Sequence, residues 1–326
     1  MPIVSVIVPC YNEESTIRLL LEALHAQDFS HPEMEVIIAD GRSTDRTRDV
    51  ITAFQLERPD LCVRVVENSL RSIPAGLNCA IQAARGQFVV RLDAHSAPAS
   101  DYVARCIADL RQGRGEVVGG QWEIRPRTRS WQARAIAVAA AHPLGVGDAR
   151  YRLGGQAQAV DTVPFGAYTR ALIERVGPFD ETLLTNEDYE FNTRVRQAGG
   201  VVWFDPKIRS TYYAASDLAA LGRQYWRYGF WKVRMLRRYP ASLRWRQALP
   251  PVFVLSLLIL GLLAVWFPMA RTLLVLEVSV YILSLLMVGV QSVVKKRDLL
   301  MVVGVPLAIA AMHLAWGSAF LWSWLR

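Results

Sequence analysis

The first hundred residues alternate short apolar runs with stretches whose apolar positions recur at helical spacing. Residues 3–8 form an apolar run ended by Pro9, and residues 16–26 follow with the periodicity of an amphipathic helix. The same pair recurs at 35–39 with 46–56, at 63–67 with 75–84, and at 87–92 with 101–112. Apolar runs carrying β-branched residues read as buried strands, and four strand–helix alternations predict an α/β fold with a mostly parallel sheet. Each of these strands ends in polar residues: Tyr11 and Glu13, then Asp40, then Arg71, then Asp93 and His95. Ligands of open α/β sheets gather beyond the carboxyl ends of the strands, so these groups are expected to line one crevice.

Later the pattern loosens. It predicts a strand over 116–123, an alanine-rich helix within 130–155, and a strand over 160–168 interrupted by Pro164 and Gly166. A helix is expected from Asn186 to Gln197, and a last strand over 201–204. Residues 216–246 change character, with eight Arg or Lys between Arg223 and Arg246 interleaved with aromatic residues. Three apolar segments follow, at about 249–268, 272–294 and 299–325, with Glu277 the one charge inside them. About 20 apolar residues cross a bilayer core as a helix, so three spans are predicted. The basic aromatic stretch suits the headgroup layer beside them. A groove for nucleic acid would use similar residues, but this stretch runs straight into a span. The expected division is therefore 1–215, an α/β domain; 216–246, interfacial helices; and 247–326, a membrane domain.

Composition sharpens this picture in two ways. The chain has 326 residues, is 52% apolar and carries a formal charge of +8, which suits an anionic membrane surface. Arg244 and Arg246 precede the first span, and Lys295, Lys296 and Arg297 lie between the second and third. The positive-inside bias then puts the large domain on the cytosolic face of a bacterial-type inner membrane, with the C-terminus outside. The N-terminus lacks the basic leader of a signal peptide. Four cysteines, Cys10, Cys62, Cys79 and Cys106, show no metal-type spacing and read as small buried hydrophobes in a reducing compartment.

Two short motifs carry candidate chemistry. Asp93 and His95 are alternate residues of an extended segment, so both side chains point one way and could ligate a metal. The plainer reading is a turn cap and a surface histidine. A divalent ion there would neutralise charge on a departing diphosphate, with Arg71 and either Arg227 or Lys232 as cationic clamps. Asp40 is placed to accept hydrogen bonds from a base edge or a ribose. Glu187 and Asp188 open a helix, whose dipole favours the ionised carboxylate that a general base requires. The plainer reading there is an N-terminal cap shared with Asn186.

Residues 1 to about 235 resemble an inverting glycosyltransferase of family 2 with the GT-A fold. The matching elements are Val6 to Glu14, Asp40 to Asp45, and the Glu187–Asp188 pair, in order and spacing. The segments Asp161 to Tyr168, Gly177 to Glu181 and Arg223 to Lys232 narrow the resemblance to ExoA-like, succinoglycan-type exopolysaccharide glycosyltransferases. That resemblance implies that Pro9, Tyr11, Glu13 and Asp40 bind the donor nucleoside, with Arg71 and Asn78 near its ribose or diphosphate. Asp93 would hold Mn²⁺ or Mg²⁺, and Asp188, beside Glu187, would be the base. Gln224, Trp226, Arg227 and Tyr228 nearly match a Gln-x-x-Arg-Trp element. Arg227 and Lys232 would face the diphosphate there, and Gln224, Trp226 and Tyr228 would shape the acceptor end. His95 stands where the family usually has a second aspartate, and an imidazole favours first-row transition ions over Mg²⁺. The implied reaction moves a hexose, glucose from UDP-glucose, onto a sugar hydroxyl of a polyprenyl-diphosphate-linked acceptor, beside other polysaccharide-assembly proteins. A polyprenyl-phosphate glycosyltransferase and a catalytically silent subunit of an export complex are the alternatives.

Overall fold

Strand β1 (Val4–Cys10) is buried along nearly its whole length, as a central strand of a parallel sheet must be. In the computed structural model, which describes residues 2–326, it lies between β2 (Met34–Asp40) and β4 (Phe88–Arg91), parallel to both. Strand β3 (Cys62–Glu67) adds to β2 in the same sense. The register sets Cys10 level with Asp40, and Asp40 level with Glu67. The chain therefore leaves three strands at one height. Helices α1 (Ile17–His25), α2 (Thr47–Glu57) and α3 (Ile73–Ala83) make the crossovers. Ser72 caps α3 by accepting from the Ala75 amide, and Pro74 occupies its first turn, where a missing N–H costs nothing.

After β4 come β5 (Ala97–Pro98), α4 (Tyr102–Arg111), β6 (Val117–Pro126), α5 (Trp131–Ala139), α6 (Pro143–Val146) and α7 (Arg150–Leu153). Then follow β7 (Gln158–Ala159), β8 (Ala167–Thr169), α8 (Arg170–Val176), α9 (Glu187–Gln197) and β9 (Val202–Ala214). The sheet order is β3-β2-β1-β4-β8-β6-β9-β5, with β7 on β9. Parallel pairing holds through β4, while β8 runs antiparallel to both β4 and β6, so the sheet is mixed. The expected strand over 160–168 is mostly loop, because Pro164 lacks the amide a ladder needs. The last strand is longer than 201–204. Asp205, Pro206 and Lys207 break its apolar run, yet its even positions Val202, Phe204, Ile208, Ser210 and Ala214 stay buried.

The chain forms two compact units. One holds the residues up to Glu123 together with Gly154–Tyr212, and the other holds Ile124–Leu153 with Tyr213–Arg326. Residues 124–153, which the sequence places inside 1–215, thus group with the C-terminal helices. Those are α10 (Leu218–Arg238), α11 (Trp245–Leu263), α12 (Pro268–Lys296) and α13 (Met301–Trp324). The last three are long and apolar enough to cross a membrane, and they expose rows of apolar side chains such as Leu258, Leu262, Val275, Leu283 and Val294. Helix α5 meets α13 at Gly304, where an added Cβ would stand 2.6 Å from that of Ala135. Small residues bring helix backbones together in this way in membrane bundles. All four cysteines are free. Cys10 and Cys106 are buried as expected, but Cys62 is exposed at the start of the outer strand β3.

Candidate active site

Three loops leave the ends of β1, β2 and β3 through residues that are not glycine yet have left-handed backbone: Asn12 (φ 54°), Arg42 (φ 58°) and Arg71 (φ 53°). Such conformations persist where surrounding bonds impose them, and they gather at binding sites. The bonds are visible here. The Asn12 amide donates to Ser43 Oγ at 2.9 Å, Asn12 Oδ1 accepts from the Thr44 amide at 2.8 Å, and the Glu13 amide donates to Thr47 Oγ1 at 2.8 Å. The first two loops are thereby fastened together. Tyr11 stands 43% exposed on this platform, and the Arg71 guanidinium lies 5.7 Å from its ring centroid, a cation–π distance.

Asp40 departs from expectation. Its carboxylate is fully buried and accepts from Ser43 Oγ at 2.5 Å and Arg48 Nε at 2.5 Å. It organises the second loop from beneath, and would meet a ligand only after Arg48 moved. Asn78 departs more clearly. Its amide donates to Phe179 O at 3.0 Å and Glu181 Oε1 at 2.8 Å, and its carbonyl accepts from the Phe179 amide at 2.9 Å. It pins the turn over 177–181 rather than facing a donor. Pro9 is a half-buried residue of β1, paired with Ala39.

The centre of the site is a residue that lies outside the sequence motifs. Arg91 ends β4 and is 2% exposed. Its Nη2 donates to Asp93 Oδ1 at 3.1 Å and to Glu187 Oε1 at 2.7 Å, and its Nη1 pairs with Asp188. One guanidinium thus joins the end of β4 to the start of α9. The signal was present in the sequence as a lone charge inside the apolar run 88–92. Asn186 precedes the two acids in left-handed conformation and makes no side-chain cap, so Glu187 and Asp188 serve Arg91 rather than a capping motif. Three carboxylates share one cation, and the balance shows at Asp188. Burial pushes the Asp188 carboxyl up to about 7; Glu187 and Asp93 add to the rise, while Arg91 opposes it. The helix dipole alone does not keep Asp188 ionised, contrary to the sequence expectation.

His95 Nδ1 lies 2.9 Å from Glu13 Oε1, joining the β1 and β4 ends. A histidine that ligates a metal commonly gives its other ring nitrogen to a carboxylate, which fixes the tautomer and orients the ring. Asp93 and His95 thus bring to one strand end the donor types that a divalent ion takes, with the imidazole oriented by Glu13.

The basic positions on α10 belong to the second unit. Gln224 Nε2 donates to Tyr228 Oη at 2.8 Å, and Trp226 and Arg227 are exposed. Lys232 is not available as a clamp. It is fully buried, with Nζ donating to Ser242 O at 3.2 Å and Ser242 Oγ at 3.4 Å.

Residues 5–177 match Glycosyl transferase family 2. The chain is 31% identical to succinoglycan biosynthesis protein ExoA of Rhizobium meliloti, over 97% of this chain and 93% of that protein. It is 27% identical to a dolichyl N-acetyl-alpha-D-glucosaminyl phosphate 3-beta-D-2,3-diacetamido-2,3-dideoxy-beta-D-glucuronosyltransferase of Methanococcus voltae, over 96% and 94% of the two chains. Among solved structures, a mannosyltransferase from Pyrobaculum calidifontis in complex with GDP-Man and Mn²⁺ is similar with a TM-score of 0.66. That likeness has 21% identity and covers 95% of this chain and 87% of the other. Staphylococcus aureus TarS in complex with UDP-GlcNAc is similar at a TM-score of 0.51 and 18% identity, over 98% and 91% of the chains. These likenesses carry the GT-A fold.

Proposed function

The chain belongs to glycosyl transferase family 2, and from that premise we propose that it moves a hexose from a nucleotide sugar to a sugar hydroxyl of a lipid-linked acceptor, with inversion. The observation that carries this reading is the cluster of Asp93, Glu187 and Asp188 around buried Arg91 at the carboxyl end of β4. Asp188 takes the proton of the attacking hydroxyl, and its raised pKa matches a base working near neutrality. Arg91 holds Asp188 and Asp93 in fixed relation. Tyr11 and Arg71 receive the nucleoside and its phosphates, the ring by stacking and the guanidinium by charge. Asp93 and His95 would hold a divalent ion, which when bound would neutralise charge on the departing nucleoside diphosphate. Gln224, Trp226, Arg227 and Tyr228 belong to the acceptor and diphosphate side of this proposal.

The donor in this reading is UDP-glucose, and the acceptor is a sugar on a polyprenyl diphosphate. One relative supports a lipid-anchored acceptor, being named for a dolichyl-linked sugar phosphate; another is named for succinoglycan biosynthesis. Helices α11 to α13 anchor the chain in the bacterial inner membrane. The α12–α13 loop carries Lys295, Lys296 and Arg297, and its Asp298 accepts from Arg134 Nη2 at 2.9 Å, which puts that loop on the same side as residues 124–153. By the positive-inside bias, that side is the cytosol.

The test is transfer by the full chain in detergent with Mn²⁺, radiolabelled nucleotide sugars and membrane lipid extract. Label from UDP-glucose is expected in an oligosaccharide lipid, and Asp188→Asn is expected to lower transfer by about 10²–10⁴. A lipid phosphate acceptor, already ionised, needs little help from a base. Asp188→Asn protein that still makes a glycosyl phosphate lipid at near-normal rate would therefore replace this reading with a polyprenyl-phosphate transferase.

A further inference from the structure

A second group of ligating side chains lies at the opposite end of the strands. His25 closes α1, His31 opens the 3₁₀ turn His31–Glu33 that leads into β2, and Asp60 lies in the turn between α2 and β3. They account for two of the chain's five histidines. Strand β2 runs from Met34, beside this group, to Asp40, about 20 Å at 3.3 Å per residue, so the group is no part of the cluster around Arg91.

The geometry converges on one oxygen. His25 Nε2 lies 3.0 Å and His31 Nδ1 2.8 Å from Asp60 Oδ2, and these atoms are all within 4.8 Å of one another. His31 Nε2 faces the His25 carbonyl oxygen at 2.8 Å. Both nitrogens of the His31 ring therefore meet groups that can only accept. A neutral imidazole has a single N–H, and the carbonyl takes it at Nε2. The Nδ1 lone pair is then aimed at a carboxylate oxygen, an arrangement that needs a positive charge between them. An added proton would supply that charge for His31 alone. His25 Nε2 is aimed at the same oxygen from another element, so one cation placed among the three would meet all of them.

We propose that His25, His31 and Asp60 bind a first-row transition ion of the zinc class. Metal–nitrogen and metal–oxygen bonds of about 2.0–2.2 Å suit donor atoms spaced this closely. The His31–carbonyl hydrogen bond is the outer contact that fixes a ligating imidazole. Asp60 is exposed, so water completes a fourth position. The ion ties the end of α1 and the entries to β2 and β3, and its effect is on stability rather than on transfer.

The test uses the full chain in detergent, stripped of metal and carrying Asp93→Asn so that the other candidate site is disabled. Zn²⁺ titration followed by gel filtration and metal analysis is expected to return one Zn²⁺ per chain, with a rise in Tm that a chelator reverses. Adding His31→Ala, or His25→Gln, is expected to reduce retained Zn²⁺ to none and abolish the Tm rise. Co²⁺ bound to the same Asp93→Asn protein is expected to show the intense visible bands of a tetrahedral site. That measurement holds even where a histidine variant folds poorly. Failure to retain Zn²⁺ together with weak, octahedral-type Co²⁺ bands, or Zn²⁺ retention unchanged by His31→Ala, would overturn the site and leave a proton-held ion pair.

Discussion

The guanidinium of Arg91 is asked to balance three acids from inside the fold, and its removal is the sharpest test at the scale of single residues. Breaking a buried ion pair from one side typically costs about 3–5 kcal/mol, because the remaining charges are left without compensation. Arg91→Met is expected to lower stability by that order in thermal unfolding, and to abolish transfer by releasing Asp93 and Asp188 from their shared anchor. A second prediction concerns pH. Asp188 sits at about 7 against an ordinary 3.8, so between those values the folded chain holds a proton that the unfolded chain has lost. Stability then falls as pH rises through that window and is level above it. Asp188→Asn removes the penalty. It is expected to match wild type near pH 4 and to exceed it at pH 8 by on the order of 4 kcal/mol, about three pKa units at about 1.4 each, with the opposing pull of Arg91 already inside that shift. Transfer by wild type should rise with pH towards about 7 and then level, since the base acts ionised. Equal stability of the two proteins across this range would refute the shifted carboxyl. Asp93 was legible in sequence because polar residues at the ends of apolar runs converge in a parallel sheet, and Glu187 and Asp188 as acids that open a helix. Asp40, Asn78 and Lys232 were not. Whether a polar side chain turns inward depends on distant partners: Arg48 for Asp40, Phe179 and Glu181 for Asn78, Ser242 for Lys232.

Among elements, β1, β2 and β4 were readable because each is a largely apolar run, which is what burial on both faces demands, while β3, at the sheet edge, is legible only by its valines. Strand β9 is longer than its apolar run, since its odd positions carry half-buried Asp205 and exposed Lys207 and Arg209 while alternate residues stay inside. Alternation is the signature of a strand with one wet face, and Pro206 hid it. The neighbour relation of β6 and β9 left a mark in the sequence at Gly120. A Cβ on Gly120 would stand 1.9 Å from Ile208 O, a backbone atom that cannot rotate away. Overfilling a packed site costs about 1–3 kcal/mol, and here the strand itself must shift. Gly120→Ala is expected to lower Tm by at least that equivalent and to loosen the packing of Ile208, measured by thermal unfolding and by amide exchange along β9. Unchanged exchange at Ile208 would show that the strands do not approach this closely. The strained loop positions Asn12, Arg42 and Arg71 had no such mark, because left-handed backbone is ordinarily signalled by glycine.

At the scale of the whole chain, composition announced three spans but not the membership of residues 124–153. Helix α5 is rich in alanine, and small apolar side chains suit a sheet or a helix bundle equally well. The structure assigns them to the bundle. Ala133, Ala135, Ile136 and Ala139 are at most 1% exposed, Ala135 lies against Gly304 of α13, and Arg134 Nε and Nη2 donate to Asp298 at 3.1 and 2.9 Å. A truncation after residue 215, the natural choice from hydropathy, would strip α13 and α10 from this face. An apolar patch of that kind drives association, and Arg134 would lose Asp298. Residues 1–215 expressed alone are therefore expected to aggregate, with protease cutting first within 124–153 while the sheet up to Glu123 resists. Supplying residues 213–326 as a second chain in detergent is expected to restore a monodisperse complex and protect 124–153. A monodisperse 1–215 fragment, resistant to protease across 124–153, would show that α5 needs no helix bundle. Solubility of the transferase sheet would then be independent of its anchor.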